Sequence, residues 1–168
     1  MEIVIREYTP QDEARLLEIL KINNAYFENI DPWKALKFPE GAETFYLSNM
    51  IAGSQTGKFY VAEVAGMIVG FIQGEMHTQT ETEIVERGKS ISGDIKEFFV
   101  LEEFRHKGIG SKLIATMEKY FTDQGCTSVA LDVFAPNELA RNFYAKYGFT
   151  ERALILVKRL PTNYSSLD

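Results

Sequence analysis

The residues best suited to chemistry lie together in "RHKGIG", Arg105 to Gly110. Two glycines stand one residue apart, Arg105 and Lys107 bring positive charge, and Ser111 follows with a hydroxyl donor. The stretch sits between an apolar run, "IKEFFV", and an amphipathic one, "SKLIATMEKY". A strand, a loop and a helix in that order expose N–H groups and a partial positive charge at the helix start. Glycines let an anion approach closely, so Gly108, Ile109 and Gly110 with Arg105, Lys107 and Ser111 form a candidate phosphate site. The pattern is neither G-x-x-x-x-G-K-[ST] nor G-x-G-x-x-G, which sets aside the P-loop and the dinucleotide fingerprint. Alone, a G-x-G reads better as a turn that needs glycine at tight backbone angles. The surrounding elements must decide.

"EIVIREYT" alternates as a first strand, and "TPQDEARLLEILKINNAYF" follows as a helix, with Thr9 as cap and Pro10 in the first turn. "ENIDPWKALKFPEG" is irregular, and "AETFYLSNMIAG" is a second helix with Gly53 as its terminator. "KFYVAEVAGMIVGFIQGEM" reads as a hairpin turning at Ala65 and Gly66. The polar stretch from His77 to Gly93 is expected to be a long loop or a solvated extension of an edge strand. "DIKEFFVL" is a fourth strand, and "GIGSKLIATMEKYFTDQG" a strongly amphipathic helix ended by Gly125. "TSVALDVF" is a fifth strand, "PNELARNFYAKYG" a short helix, and "FTERALILVKRL" one or two closing strands. No repeat or linker interrupts this order, so residues 1–168 are expected to form a single mixed α/β domain.

The length of 168 residues suits one sizeable core. A net charge of -6 at pH 7 argues against a nucleic-acid partner and suits a cationic one. No apolar run approaches the roughly 20 residues of a membrane helix, and the start has no secretory signal. The single cysteine, Cys126, cannot form an intrachain disulfide, which points to a reducing compartment and a cytoplasmic setting. Two histidines and one cysteine without ligand spacing argue against a zinc site, so no metal is expected.

Arg105-x-x-Gly108-x-Gly110 after a strand resembles the pyrophosphate-binding signature of the GNAT superfamily of N-acetyltransferases, which use acetyl-CoA. The flanks "FFVLEEFRHKGIGSKLI" and the downstream "LDVFAPNELARNFYAKYGF" agree with that family, and the resemblance covers about residues 94–150. His106 stands where the family often has a small residue, and Glu102 near the place of a frequent proline. Neither removes a backbone donor.

The resemblance implies a GNAT-like, mostly antiparallel sheet of six to seven strands with helices on both faces, splayed between the fourth and fifth strands. It implies that the pantetheine arm of acetyl-CoA pairs with the backbone of Phe98, Phe99 and Val100, as an added strand would. The Val100 N–H is then the donor to the thioester oxygen. The loop from Arg105 through His106 and Lys107 to Ser111 would take the pyrophosphate, with Asn137 as a further cofactor contact. Asn137 also suits a helix cap. Tyr144 matches the family tyrosine that protonates the departing thiolate, and it reads otherwise as a packed aromatic. Glu97 and Asp132 flank the implied cleft and are candidates for accepting the amine proton, Glu97 ahead of Asp132. Alternation sets Glu97 on the strand face of Ile95 and Phe99. His77 and His106 are expected on exposed loops, and Cys126 in the core. Trp33, Phe38 and Tyr26 either shape the acceptor pocket or simply pack.

The expected activity is acetyl transfer from acetyl-CoA to a primary amine, a small cationic one, by direct attack. The alternatives are acetylation of a protein N-terminus or lysine, and a non-catalytic acyl-CoA sensor. Edge strands and the closing strand offer surfaces through which a homodimer could form.

Overall fold

The computed structural model of the chain describes residues 2–160. They divide between Pro136 and Asn137 into two compact units. The first unit holds, in chain order, β1 (Val4–Glu7), α1 (Glu13–Ile30), α2 (Ala42–Gly53), β2 (Gly57–Val64), β3 (Met67–Met76), α3 (Glu81–Arg87), β4 (Ser92–Val100), α4 (Ile109–Asp123) and β5 (Ser128–Leu131). The second holds α5 (Glu138–Lys146).

The five strands form one sheet in the order β1-β2-β3-β4-β5, antiparallel except for the parallel β4–β5 pair. The six to seven strands expected are thus corrected to five among the described residues. The expected closing strand in "FTERALILVKRL" is absent as far as Lys158, Arg159 and Leu160, and its apolar run joins no ladder among the described residues. Branched side chains favour extended backbone, but a strand exists only with a partner. The polar stretch after His77 also differs from expectation, because it contains α3. Thr80 and Glu83 form a reciprocal capping box there, each side chain satisfying the other's N–H.

Helices cover both faces of the sheet. On one face, Gly74 and Gly93 lie so close to α4 that a Cβ would meet Phe121 at 2.8 and 2.4 Å. The α4 stripe of Ile109, Leu113, Ile114, Met117 and Phe121 is fully buried there. Each such side chain contributes on the order of 1.5–3 kcal/mol by leaving water. On the other face, Tyr26 of α1 touches Phe99 of β4, with ring centroids 6.3 Å apart. Gly53 of α2 lies against Gln73 and Glu75 of β3, where a Cβ would fall 2.0 Å from the Glu75 Oε1. Gly53 is therefore the last helical residue and a packing contact, rather than the terminator its position suggests.

Candidate active site

Two departures from regular pairing shape β4. Against β5 its ladder runs only from Ser92–Ser128 to Ile95–Leu131, so the rest of β4 continues without β5 beside it. β5 itself ends at Leu131, so beyond Ile95 this side of β4 has no strand paired to it among the described residues. Against β3, Gly74 faces Ile95 while Gln73 faces Glu97, which leaves Lys96 as an extra, bulged residue. The bulge turns Ile95 toward α4 with Gly74, and Glu97 and Phe99 toward α1 and α2 with Gln73 and Phe71. Plain alternation had joined Glu97 to both Ile95 and Phe99, and only the Phe99 half survives.

The open edge has a defined polarity. Leu101 N–H donates to the Val69 carbonyl at 2.9 Å. In an antiparallel ladder, successive residues direct their polar groups alternately toward and away from the neighbour. Phe99 therefore turns its N–H and C=O to Phe71 of β3, while Val100 turns both of its groups the other way. The Val100 N–H points over the side where β5 is no longer paired.

After β4, buried Leu101 anchors a 3-10 turn, Glu102–Phe104, and the chain reaches α4 through two left-handed residues. These are His106, φ 59°, and Gly108, φ 85°, which is the N-cap. A Cβ on Gly108 would meet nothing within 4 Å, so this glycine serves the backbone angle and not a tight approach. The Lys112 N–H closes the first turn onto the Gly108 carbonyl at 3.1 Å. That leaves the N–H groups of Ile109, Gly110 and Ser111 at the positive end of the helix without intrahelical acceptors. Ile109 is buried in the core, so only its backbone can serve an anion. Lys107 donates to the Glu103 carbonyl at 2.7 Å and lies over the Phe104 ring. His106 is exposed, as expected.

Arg105 behaves differently from its neighbours. Its Nε donates to the Val100 carbonyl at 2.9 Å, and its guanidinium lies 5.3 Å from the Tyr26 ring and 5.4 Å from the Phe99 ring. With Tyr26, Phe99, Leu101 and Arg15 it lines a cavity of about 490 Å³.

Glu97 is half-buried and makes no side-chain hydrogen bond or ion pair among the described residues. Burial alone pushes its carboxyl up to about 7. Its cross-strand partner Gln73 is 1% exposed and donates to the Glu75 Oε1 at 3.1 Å. Gln73 and Glu75 thus stand on the same sheet face as Glu97, although the sequence reading did not single them out. Their signal was two polar residues at alternate positions within the otherwise apolar "MIVGFIQGEM". Asp132 lies one residue past the end of β5 and is exposed, not on the strand as expected.

In the second unit, Asn137 caps α5, its Oδ1 accepting from the Ala140 N–H at 3.2 Å. Tyr144 lies on α5 with its ring 5.6 Å from both Phe143 and Phe149.

The remaining candidates lie elsewhere. His77, expected on an exposed loop, instead bridges Asp94 at 3.0 Å and Glu83 at 3.1 Å with its side chain 28% exposed. The hydrogen bond to Asp94, then that to Glu83, raises its pKa. Cys126 is half-buried near the Met76 sulfur, and burial raises its thiol pKa, which disfavours a thiolate. Asp31 holds the loop after α1, accepting from the N–H groups of Trp33, Ala35 and Leu36. Phe38 donates its N–H to Glu28 beside a cavity of about 250 Å³ that is also lined by Lys21, Asn24 and Glu43.

The acetyltransferase (GNAT) family matches residues 16–149. An uncharacterized N-acetyltransferase of Methanocaldococcus jannaschii is 34% identical over 120 residues, 69% of each chain. An N-alpha-acetyltransferase of Sulfurisphaera tokodaii is 29% identical over 148 residues, 83% of this chain and 85% of the relative. In fold, the chain is similar to the aminoglycoside N-acetyltransferase AAC(6')-Iy in complex with CoA, with a TM-score of 0.66, 20% identity and 95% of both chains covered. A family match from residue 16 to 149, together with a relative 34% identical over 69% of each chain, shows that this chain belongs to the GNAT family of acetyltransferases and is an acyltransferase.

Proposed function

We propose that the chain, as one N-acetyltransferase domain working in the cytoplasm, moves the acetyl group of acetyl-CoA to a small cationic primary amine. The observation that carries this reading is the open β4 edge beyond Ile95, joined through the Leu101–Gly108 loop to the start of α4. The N–H groups of Ile109, Gly110 and Ser111, with Lys107 and His106 close by, take the pyrophosphate. The pantetheine runs along the edge formed by Phe98 and Val100, with the Phe99 side chain supporting that strand. The Val100 N–H donates to the thioester oxygen as the amine nitrogen bonds to the carbonyl carbon. Glu97, half ionised near neutral pH, accepts the ammonium proton. The tetrahedral intermediate then collapses, the C–S bond breaks, and Tyr144 protonates the thiolate. Tyr144 and the cofactor contact of Asn137 rest on the family resemblance alone. The cationic acceptor is supported by the net charge of -6.

A second reading, acetylation of a protein N-terminus, draws on the Sulfurisphaera tokodaii relative. The test is a panel of kanamycin, spermidine, tyramine, lysine and a short peptide, followed by thiol release from acetyl-CoA. Calorimetry with acetyl-CoA accompanies it on the wild type and Gly110→Glu. Position 110 is the better choice, because Gly108 at φ 85° would be strained by any side chain. We expect wild-type binding, turnover of a small amine, and loss of binding by at least about 100-fold in G110E, with a carboxylate set among the anion donors. Failure of the wild type to bind acetyl-CoA would refute the reading, and turnover of the peptide alone would select the second one.

A further inference from the structure

We propose that Arg105 is a positioning residue for the acyl site and not a contact for the pyrophosphate. The inference rests on the acetyltransferase reading above, with the Val100 N–H as the donor to the thioester oxygen. Three observations place the guanidinium. Its Nε donates to the Val100 carbonyl at 2.9 Å. Its charge lies over the rings of Tyr26 and Phe99. Those rings sit on the sheet face that carries α1 and α2, whereas α4, whose first turn offers the anion site, packs on the opposite face.

The consequence for Val100 is specific. The peptide between Val100 and Leu101 is held at both ends, its carbonyl by Arg105 and its N–H by the Val69 carbonyl, each at 2.9 Å. The preceding peptide is held on the Phe99 side by the ladder to Phe71. Both dihedrals of Val100 are thereby fixed, and with them the direction of its N–H over the open edge. Without Arg105, the last carbonyl of β4 would face that edge without a donor, and the strand end could rotate. The planar guanidinium suits this work because it stacks on rings while an N–H donates in its own plane, which an ammonium cannot do.

The test uses the full chain as wild type, Arg105→Lys and Arg105→Gln. Calorimetry measures acetyl-CoA affinity. Infrared difference spectra of carbonyl-labelled [13C]acetyl-CoA read the hydrogen bond to the thioester oxygen. Thiol release to the best amine of the acceptor panel is followed with acetyl-CoA and with acetyl-pantetheine, which lacks the pyrophosphate. In both variants we expect acetyl-CoA affinity within about 3-fold of wild type. We expect the bound carbonyl band to lose roughly half or more of its downshift, and turnover to fall roughly 10- to 100-fold with either thioester. A loss of acetyl-CoA affinity with full activity on acetyl-pantetheine would make Arg105 a pyrophosphate ligand and overturn the proposal. So would an unchanged carbonyl band, or a failure of both variants to fold, which would leave the residue merely structural. A wild type that neither binds acetyl-CoA nor shifts its band would instead defeat the acetyltransferase reading, before any variant is compared.

Discussion

Replacing Glu97 by Gln tests the site where its electrostatics are sharpest. The carboxyl has no hydrogen-bond or ion-pair partner among the described residues and is pushed by burial from an ordinary 4.5 up to about 7. That displacement corresponds to about 3 kcal/mol against the ionised form. The folded protein holds this proton more tightly than the unfolded chain does. Stability is therefore greatest below about 4.5 and is lost as pH rises through about 7. Glutamine keeps the shape and cannot ionise, so Glu97→Gln should match wild type in acid and exceed it in base. For a chain of this size, about 3 kcal/mol corresponds to a melting temperature about 6–12 °C higher above neutrality. Water reaching the half-buried carboxylate would bring the gain toward the lower figure. Activity should move oppositely. Wild-type kcat/KM should rise with pH through an inflection near 7, and E97Q should lose that inflection and about 100-fold in rate on its alkaline side. The assays are melting curves and kcat/KM profiles across the same pH series. A constant melting offset at every pH, or an inflection near 7 that persists in E97Q, would refute the reasoning.

Gly93→Ala would set a Cβ 2.4 Å from the Phe121 ring, and should cost about 1–3 kcal/mol in urea unfolding. Added to Phe121→Leu the same change should cost about 1 kcal/mol less, because the ring it strikes is gone. His77→Gln should weaken α3 most in acid. The carboxylates of Asp94 and Glu83 raise the histidine pKa, so their stabilisation is complete below about 6.5 and fades as pH rises through the raised value. Amide exchange in α3 at about pH 6 and about pH 9 reads the difference, and an equal effect at both would contradict it. Tyr144→Phe should lower kcat by about 100-fold and leave acetyl-CoA affinity unchanged, while an unaltered kcat would remove Tyr144 from the acid role.

The parts of the site that a single sequence could disclose are those made by local rules. The helix start at Gly108 combines a left-handed cap, an amphipathic stripe and a preceding strand, and each leaves a local mark. The same kind of mark was present in "TETE", residues 80–83, where a capping box opens α3 inside what reads as a polar loop. The helix behind the box buries none of its residues, so no apolar period accompanies it in the sequence. The closing strand failed for the converse reason: "LILV" carries strand propensity, but its ladder partner would have to come from elsewhere in the chain. The bulge at Lys96 is harder still. Nothing in "DIKEFFV" marks it, because a bulge is a mismatch of count between two strands, and the missing counterpart belongs to β3 between Gln73 and Gly74. Yet that one residue decides which way a carboxylate points. Without the bulge, in a ladder where Lys96 had its own partner, Glu97 would share a face with Ile95, against α4. With it, Glu97 joins Phe99, Gln73 and the α1 side of the sheet, where Arg105 and its cavity also lie. Strand parity read from sequence is therefore reliable only between bulges, and in this chain the bulge falls between the last core residue of β4 that alternation places correctly and the first one that could do chemistry.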